Sequence, residues 1–220
     1  DVSSGGLVSY QQIPLHPNYQ VPFAEKIKNP KLLCRIQPAK VFALTSLMSS
    51  ESSAGSILKS IDESILLCDS VEEIIPKILI AKEKIRALNR VGEYEQAISI
   101  YHDFFDEAVG TKYPILIAYL KSGVSESYMG VGKYDVAVEF ATEAVDHAKL
   151  NSVNNALIDA YRVLYHSLKL QLRHKEALQF FEAYTQLEKK FIDEKSQQQF
   201  AYNLAKIDVE VKNQRIALLD

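Results

Sequence analysis

The stretch VGKYDVAVEFATEAVDHAK at residues 131–149 joins a turn to a helical pattern, and VGEYEQAISIYHDFFDEAV at residues 91–109 closely repeats it. A third copy, LRHKEALQFFEAYTQLEKKF, begins at Leu172, which stands where the other two copies have glycine. A fixed period in the range of 20–50 residues indicates stacked repeat units that bury their apolar faces against their neighbours. The copies are 40 residues apart, as the matching positions show: Gly92, Gly132 and Leu172; Tyr94, Tyr134 and His174; Ala97, Ala137 and Ala177.

Each copy follows another amphipathic stretch, so the unit is predicted to be an antiparallel helical hairpin. Glycine at the turn supplies the backbone freedom that a short link between helices needs. The alanine five residues later allows the two helix axes to approach closely. The chain has only eight glycines and no proline after Pro114, so long helices can continue unbroken. The sequence therefore predicts an all-α fold.

The run SGVSESYMGVGKYDVAVEFATEA at residues 122–144 resembles a tetratricopeptide repeat, with its Gly-x-Tyr-Asp-x-Ala core and a small residue, Ala144, seven positions later. The period of 40 exceeds the roughly 34 residues usual in that family, which implies longer helices or a longer link. The resemblance implies a tetratricopeptide-like solenoid of antiparallel hairpins in a right-handed superhelix. About four hairpins are expected, followed by a C-terminal helix.

The chain divides into three predicted parts. Residues 1–30, rich in serine, glycine and proline, are expected to form an extended N-terminal arm. Residues 31–192 form the repeat domain, and residues 193–220 form a capping or linker helix with a heptad-like apolar stripe. The stripe consists of Phe200, Leu204, Ile207, Val211 and Leu218, and the hairpins are expected at residues 32–70, 72–109, 111–149 and 151–192. Because no stop signal follows this last helix, the natural chain is expected to continue past Asp220.

The two cysteines, Cys34 and Cys68, lie equally far from a hairpin turn near Glu51 and are expected to face each other. A disulfide between them would imply an oxidising compartment. Two small buried thiols are the alternative.

The sequence offers no catalytic, metal or cofactor motif. The five histidines show no metal-ligand spacing, and neither a phosphate-binding glycine loop nor a nucleophile elbow is present. The net charge of −3 does not favour nucleic acid as a partner, and no apolar run is long enough to span a membrane. We expect a non-enzymatic protein without cofactors.

In the tetratricopeptide family the first helices of successive hairpins line a concave groove. The positions 8, 11, 15 and 18 residues before each marker alanine are expected to face it, and they include Ser122 and Asp159. The candidates for binding a peptide, a protein or a small acidic ligand are Lys82, Arg86, Asn89, Tyr119, Glu126, Arg162, His166 and Lys169. Their basic members could form charge-assisted hydrogen bonds to carboxylates. The alternative is that they are ordinary solvated helix positions.

The stretch EKKFIDEKSQQQFAYNLAKIDVEVKNQRIALLD, which ends at Asp220, resembles in composition the linker of periplasmic sensor regions in bacterial membrane-bound signalling proteins. That resemblance implies a sensor whose output, a GGDEF diguanylate cyclase or a kinase, lies outside this sequence. It also implies that the membrane is reached through flanking segments, and that two copies can pair through the terminal helix. A free-standing cytoplasmic adaptor that binds a peptide or protein is the alternative.

Overall fold

In a computed structural model the chain forms a stack of helical hairpins, described here over residues 29–48, 51–150 and 154–217. The predicted N-terminal arm lies outside the described residues, apart from Asn29, which caps the first helix, and Pro30. Within the described ranges there are helices and short links but no strand, so the all-α prediction is confirmed. The helices are α1 (Pro30–Ser46), α2 (Glu51–Ser70), α3 (Ile74–Arg90), α4 (Tyr94–Gly110), α5 (Pro114–Gly130), α6 (Tyr134–Leu150), α7 (Asn154–Leu170) and α8 (His174–Ala217).

The helices from α3 to α7 follow a strict rhythm. Each is 17 residues long, and a new helix begins every 20 residues from Ile74 to His174. Two helices with their links therefore make the 40-residue unit seen in the sequence. Because the links are only three residues long, the length beyond the usual tetratricopeptide unit lies in the helices.

The links between helices share one backbone conformation. The second residue of each described three-residue link has a positive φ, although only two of these residues are glycine. At four links the N–H of the third residue donates to the carbonyl five positions earlier, for example from Glu93 to Leu88 at 3.0 Å. This is the Schellman termination of a helix. The positive-φ residues are Glu72 (57°), Gly92 (80°), Lys112 (59°), Gly132 (77°) and Leu172 (60°).

The helices form two layers. The first helices of successive hairpins, α1, α3, α5 and α7, pack against one another, and each also packs on the second helix of its own hairpin. The second helices α4 and α6 are bridged by large side chains, since the rings of Tyr101 on α4 and Phe140 on α6 lie 5.4 Å apart. This arrangement is consistent with a tetratricopeptide-like solenoid, and it turns the first helices towards a shared face.

The marker alanines occupy equivalent positions. Ala97, Ala137 and Ala177 are all buried at the start of a second helix. The N–H of each donates to the carbonyl of the last link residue, at 2.9 to 3.1 Å. The three alanines therefore have equivalent surroundings, as the repeat predicts.

The first hairpin departs from the regular unit. Its helix α1 begins 44 residues before α3, and Ile57, half-buried, stands where the marker alanine would be. A disulfide joins Cys34 on α1 to Cys68 on α2, with both residues fully buried and their Cα atoms 5.0 Å apart. The disulfide thus joins the two helices of the hairpin that lacks the marker alanine.

The last helix is one continuous element of 44 residues, about 66 Å long at the rise of an α-helix. The boundary expected at residues 192–193 lies inside it. From Ile192 to Leu204 every side chain is exposed, so this part of α8 does not cap the solenoid. Of the predicted stripe, Phe200 and Leu204 are 66% and 52% exposed; the other side chains lie outside the described ones. No described helix has the length and hydropathy of a membrane span.

Candidate ligand-binding groove

A cavity of about 590 Å³ lies on the shared face of α3, α5 and α7. Six of the eight candidate groove residues line it: Lys82, Arg86, Asn89, Tyr119, Glu126 and Arg162. His166 and Lys169, further along α7, do not line it. The structure adds residues that were not among the eight candidates: Arg90, Tyr94, Ser122, Gly123, Asp159 and Val163.

Lys82 lies at one end of the cavity above an aromatic ring. Its ammonium is 4.2 Å from the centre of the Tyr119 ring and 3.3 Å from a carboxylate oxygen of Glu83. Burial opposes the charge on this lysine, but Glu83, Asp159 and Tyr119 outweigh it and raise its pKa above the ordinary value. Lys82 is therefore a fixed positive charge at neutral pH.

Glu83 anchors the positive side of the cavity from beneath. Its side chain is only 4% exposed, and it accepts hydrogen bonds from the Thr45 hydroxyl at 2.9 Å and from Arg86 at 3.2 Å. Such partners offset the cost of burying a polar side chain. Glu83 was not among the predicted groove positions, because it faces α1. The only sign of its ion pair with Arg86 in the sequence was their spacing of three residues.

Two arginines on α3, Arg86 and Arg90, form hydrogen bonds to the C-terminal end of α1. Arg86 donates to the Ser46 hydroxyl at 3.3 Å and lies 5.2 Å from the Phe42 ring centre. Arg90 donates to the carbonyl of Thr45. Burial and the neighbouring Arg86 lower the pKa of Arg90, although a guanidinium stays protonated in proteins.

Asn89, which lines the cavity, also joins two of the helices that form it. Its amide donates to the carbonyl of Gly123 at 2.9 Å, and its oxygen accepts from the Ser127 hydroxyl at 2.7 Å. Both ends of the side chain are thus used to join α3 to α5. The two helices approach closely here: a Cβ added to Gly123 would lie only 2.9 Å from Cγ2 of Ile85.

The opposite wall of the cavity is acidic. Arg162 on α7 donates to Glu126 on α5 at 2.6 Å. Burial opposes the charge on Arg162, but Glu126 and Asp159 raise its pKa. Asp159 is half-buried and makes no side-chain hydrogen bond or ion pair within the described ranges.

One polar group in the lining lacks a partner. Ser122 is 5% exposed, and its buried hydroxyl oxygen has no hydrogen-bond partner among the described residues. Leaving a buried polar group unpaired is costly, so this hydroxyl is a local weakness in the packing of α5.

The two remaining candidates lie beside the groove. The rings of His166 and Tyr165 are 4.7 Å apart, and the ammonium of Lys169 is 6.0 Å from the Tyr165 ring centre. Burial, Arg162 and Lys169 lower the pKa of His166 below its ordinary value. The histidine is therefore mostly neutral at pH 7 and adds no positive charge to the groove.

A second depression, of about 660 Å³, lies where the α5–α6 and α7–α8 links meet. The charged residues around it, Lys133, Asp135 and Arg173, are all exposed. With no buried polar side chain to select a ligand, it is a weaker candidate than the groove. Within the described ranges, no three His, Cys, Asp or Glu residues are grouped to hold a metal ion.

The fold and the groove together define a repeated helical-hairpin protein with a polar cavity on the face of its first helices. No known protein family matches the chain, and no curated protein matches it.

Proposed function

We propose that this chain is the non-catalytic binding region of an extracytoplasmic sensor in a membrane-bound bacterial signalling protein. It belongs to the tetratricopeptide type, and its output, such as a GGDEF diguanylate cyclase, lies outside these residues. The observation that carries the binding role is the cavity shared by α3, α5 and α7. Its volume falls in the range of small-molecule sites.

The charge of the lining supports an acidic ligand or the carboxylate of a peptide. Four cations line the cavity against two carboxylates: Lys82, Arg86, Arg90 and Arg162 against Glu126 and Asp159. Arginine binds carboxylates well because its donors form a planar fork.

The disulfide between Cys34 and Cys68 supports an extracytoplasmic location, because such bonds persist in oxidising compartments. The exposed length of α8 supports a relay role. Phe200 and Leu204 offer a surface on which two copies could pair, so that a change in the solenoid reaches the following segment.

A cytoplasmic adaptor is the second candidate, favoured by the general use of such solenoids as scaffolds for protein binding. Two measurements separate it from the sensor. Alkylation of the protein taken directly from its native cells should find both cysteines blocked in the sensor and both reactive in the adaptor. The coding sequence beyond Asp220 should encode an apolar run of about 20 residues in the sensor.

The binding role is tested with a thermal-shift screen of peptides that carry free carboxylates. We expect at least one peptide to raise the melting temperature of the wild type but not that of the double variant Arg86→Ala/Arg162→Ala. The matched control, Lys175→Ala/Lys189→Ala, removes two positive charges from exposed positions of α8 and should respond like the wild type. A screen without any hit, or a hit that stabilises the groove variant equally, would contradict the proposal.

A further inference from the structure

The charges of the groove are divided between its two walls. On α3, Lys82, Arg86 and Arg90 have one carboxylate on their own helix, the buried Glu83. From across the groove, Asp159 also attracts Lys82 and Glu126 attracts Arg90. On α5 and α7, Arg162 is opposed by both Glu126 and Asp159. The first wall therefore carries excess positive charge and the second carries excess negative charge.

This division bears on which acidic ligand can fit. A molecule with carboxylates at both ends would place one of them against Asp159 and Glu126. A molecule with a carboxylate at one end and an ammonium at the other meets an opposite charge on each wall. Charge complementarity of this kind discriminates between ligands because like charges in contact are costly.

We infer that the groove binds a short zwitterionic peptide, with its carboxylate at the α3 wall and its free ammonium at Asp159. This inference rests on the proposed binding function and narrows its ligand class.

The dimensions suit a peptide of two or three residues. At the usual spacing of packed helices, the axes of α3 and α7 are about 16–20 Å apart across α5, and long side chains from both walls narrow this distance. An extended di- or tripeptide spans about 7–11 Å. Tyr94, Tyr119 and Val163 in the lining offer contacts for small apolar side chains.

The test compares three probes by isothermal titration calorimetry: L-alanyl-L-alanine, its N-acetyl derivative and its C-terminal amide. We expect the free dipeptide to bind, and each blocked form to bind about tenfold more weakly or worse, because each loses one charge-assisted contact.

Substitution of each wall then assigns the two ends. Asp159→Asn should weaken the free dipeptide to the level of the acetylated form and leave binding of the acetylated form unchanged. Arg86→Ala should weaken the free dipeptide and the acetylated form but not the amide. Glu139→Gln, an acid-to-amide change at an exposed position of α6, serves as the control and should change none of the three affinities.

Equal binding of the free and acetylated dipeptides would overturn the zwitterion inference and leave a carboxylate-binding groove intact. Binding of none of the three probes would also overturn it. The broader binding function is tested separately by the peptide screen, so the two failures are distinguishable.

Discussion

The left-handed links between helices give the sharpest stability prediction. The same positive-φ position is glycine at residues 92 and 132 but leucine at 172. A non-glycine residue pays about 1–2 kcal/mol for this conformation, whereas glycine loses about 0.5–1 kcal/mol more backbone entropy on folding. Leu172 is 74% exposed, so its replacement sacrifices little burial. We therefore expect Leu172→Gly to raise the free energy of unfolding by about 0.5–1 kcal/mol.

Two further glycine positions complete the experiment. Nothing lies within 4 Å of a Cβ added at Gly132, so Gly132→Ala should cost about 0.5–1 kcal/mol from backbone conformation alone. Gly55 also has open space but lies within α2 at a helical φ. There alanine should stabilise by about 0.5–1 kcal/mol.

Urea unfolding followed by circular dichroism measures all three variants. A gain of 1 kcal/mol corresponds to about 2–4 °C in melting temperature for a chain of this size. If Leu172→Gly were neutral or destabilising while Gly55→Ala stabilised as expected, the left-handed geometry at residue 172 would be wrong. If Gly132→Ala stabilised the protein, the interpretation of the links as a shared Schellman motif would fail.

The remaining predictions concern packing, the disulfide and pH. Gly123→Ala adds a Cβ 2.9 Å from Cγ2 of Ile85, an overpacking that costs about 1–3 kcal/mol against a gain of about 0.5–1 kcal/mol from replacing a glycine inside a helix. We expect a net loss of about 1–2 kcal/mol in urea unfolding, and a gain like that of Gly55→Ala would contradict the close approach of α3 and α5. Breaking the disulfide in the Cys34→Ser/Cys68→Ser variant should lower stability by about 2–4 kcal/mol, measured against untreated wild type, and an equal midpoint would rule out a stabilising link. Burial raises the pKa of Tyr101 above its ordinary value, so its contribution is fully present below about pH 10 and is lost as pH rises towards the folded-state pKa. Tyr101→Phe should therefore flatten the loss of stability between pH 10 and 11, and identical profiles would count against the burial of this phenol.

Much of the fold could be read from the sequence because small residues recur wherever helices must approach. Ala97 and Ala137 fixed the repeat, and Ala177 identified the third copy despite its missing glycine. The pattern did not predict that links with the same backbone conformation recur every 20 residues. Glu72 and Lys112 adopt the same positive φ as the glycines, but no residue preference signals it, because the termination hydrogen bonds and packing impose the conformation.

The sequence predicted which residues line the cavity and their weak excess of positive charge, but not how the charges pair. Spacing from the alanines placed Lys82, Arg86 and Arg162 correctly on one cavity, because one offset applies to every regular unit. Counting the candidate positions suggested a weakly basic groove, with five bases against Glu126 and Asp159, that could hold an acidic peptide or a carboxylate. In the structure, Glu83 and Glu126 form ion pairs with Lys82, Arg86 and Arg162 and so neutralise part of the positive charge. His166, whose pKa is lowered, adds little positive charge at neutral pH.

The residues that hydrogen-bond to the α3 side chains of the groove could not be predicted from the repeat spacing, because they belong to the irregular first hairpin. Thr45 and Ser46, at the end of α1, hold Glu83 and Arg86, and α1 lies four residues out of phase with the other units. The disulfide fixes α1 on α2, so the hairpin that least resembles the repeat is the one that orients the basic side chains of the groove. A sequence period predicts equivalent positions along a solenoid. In this groove the orientation of the basic side chains depends on α1, the helix that departs from the period.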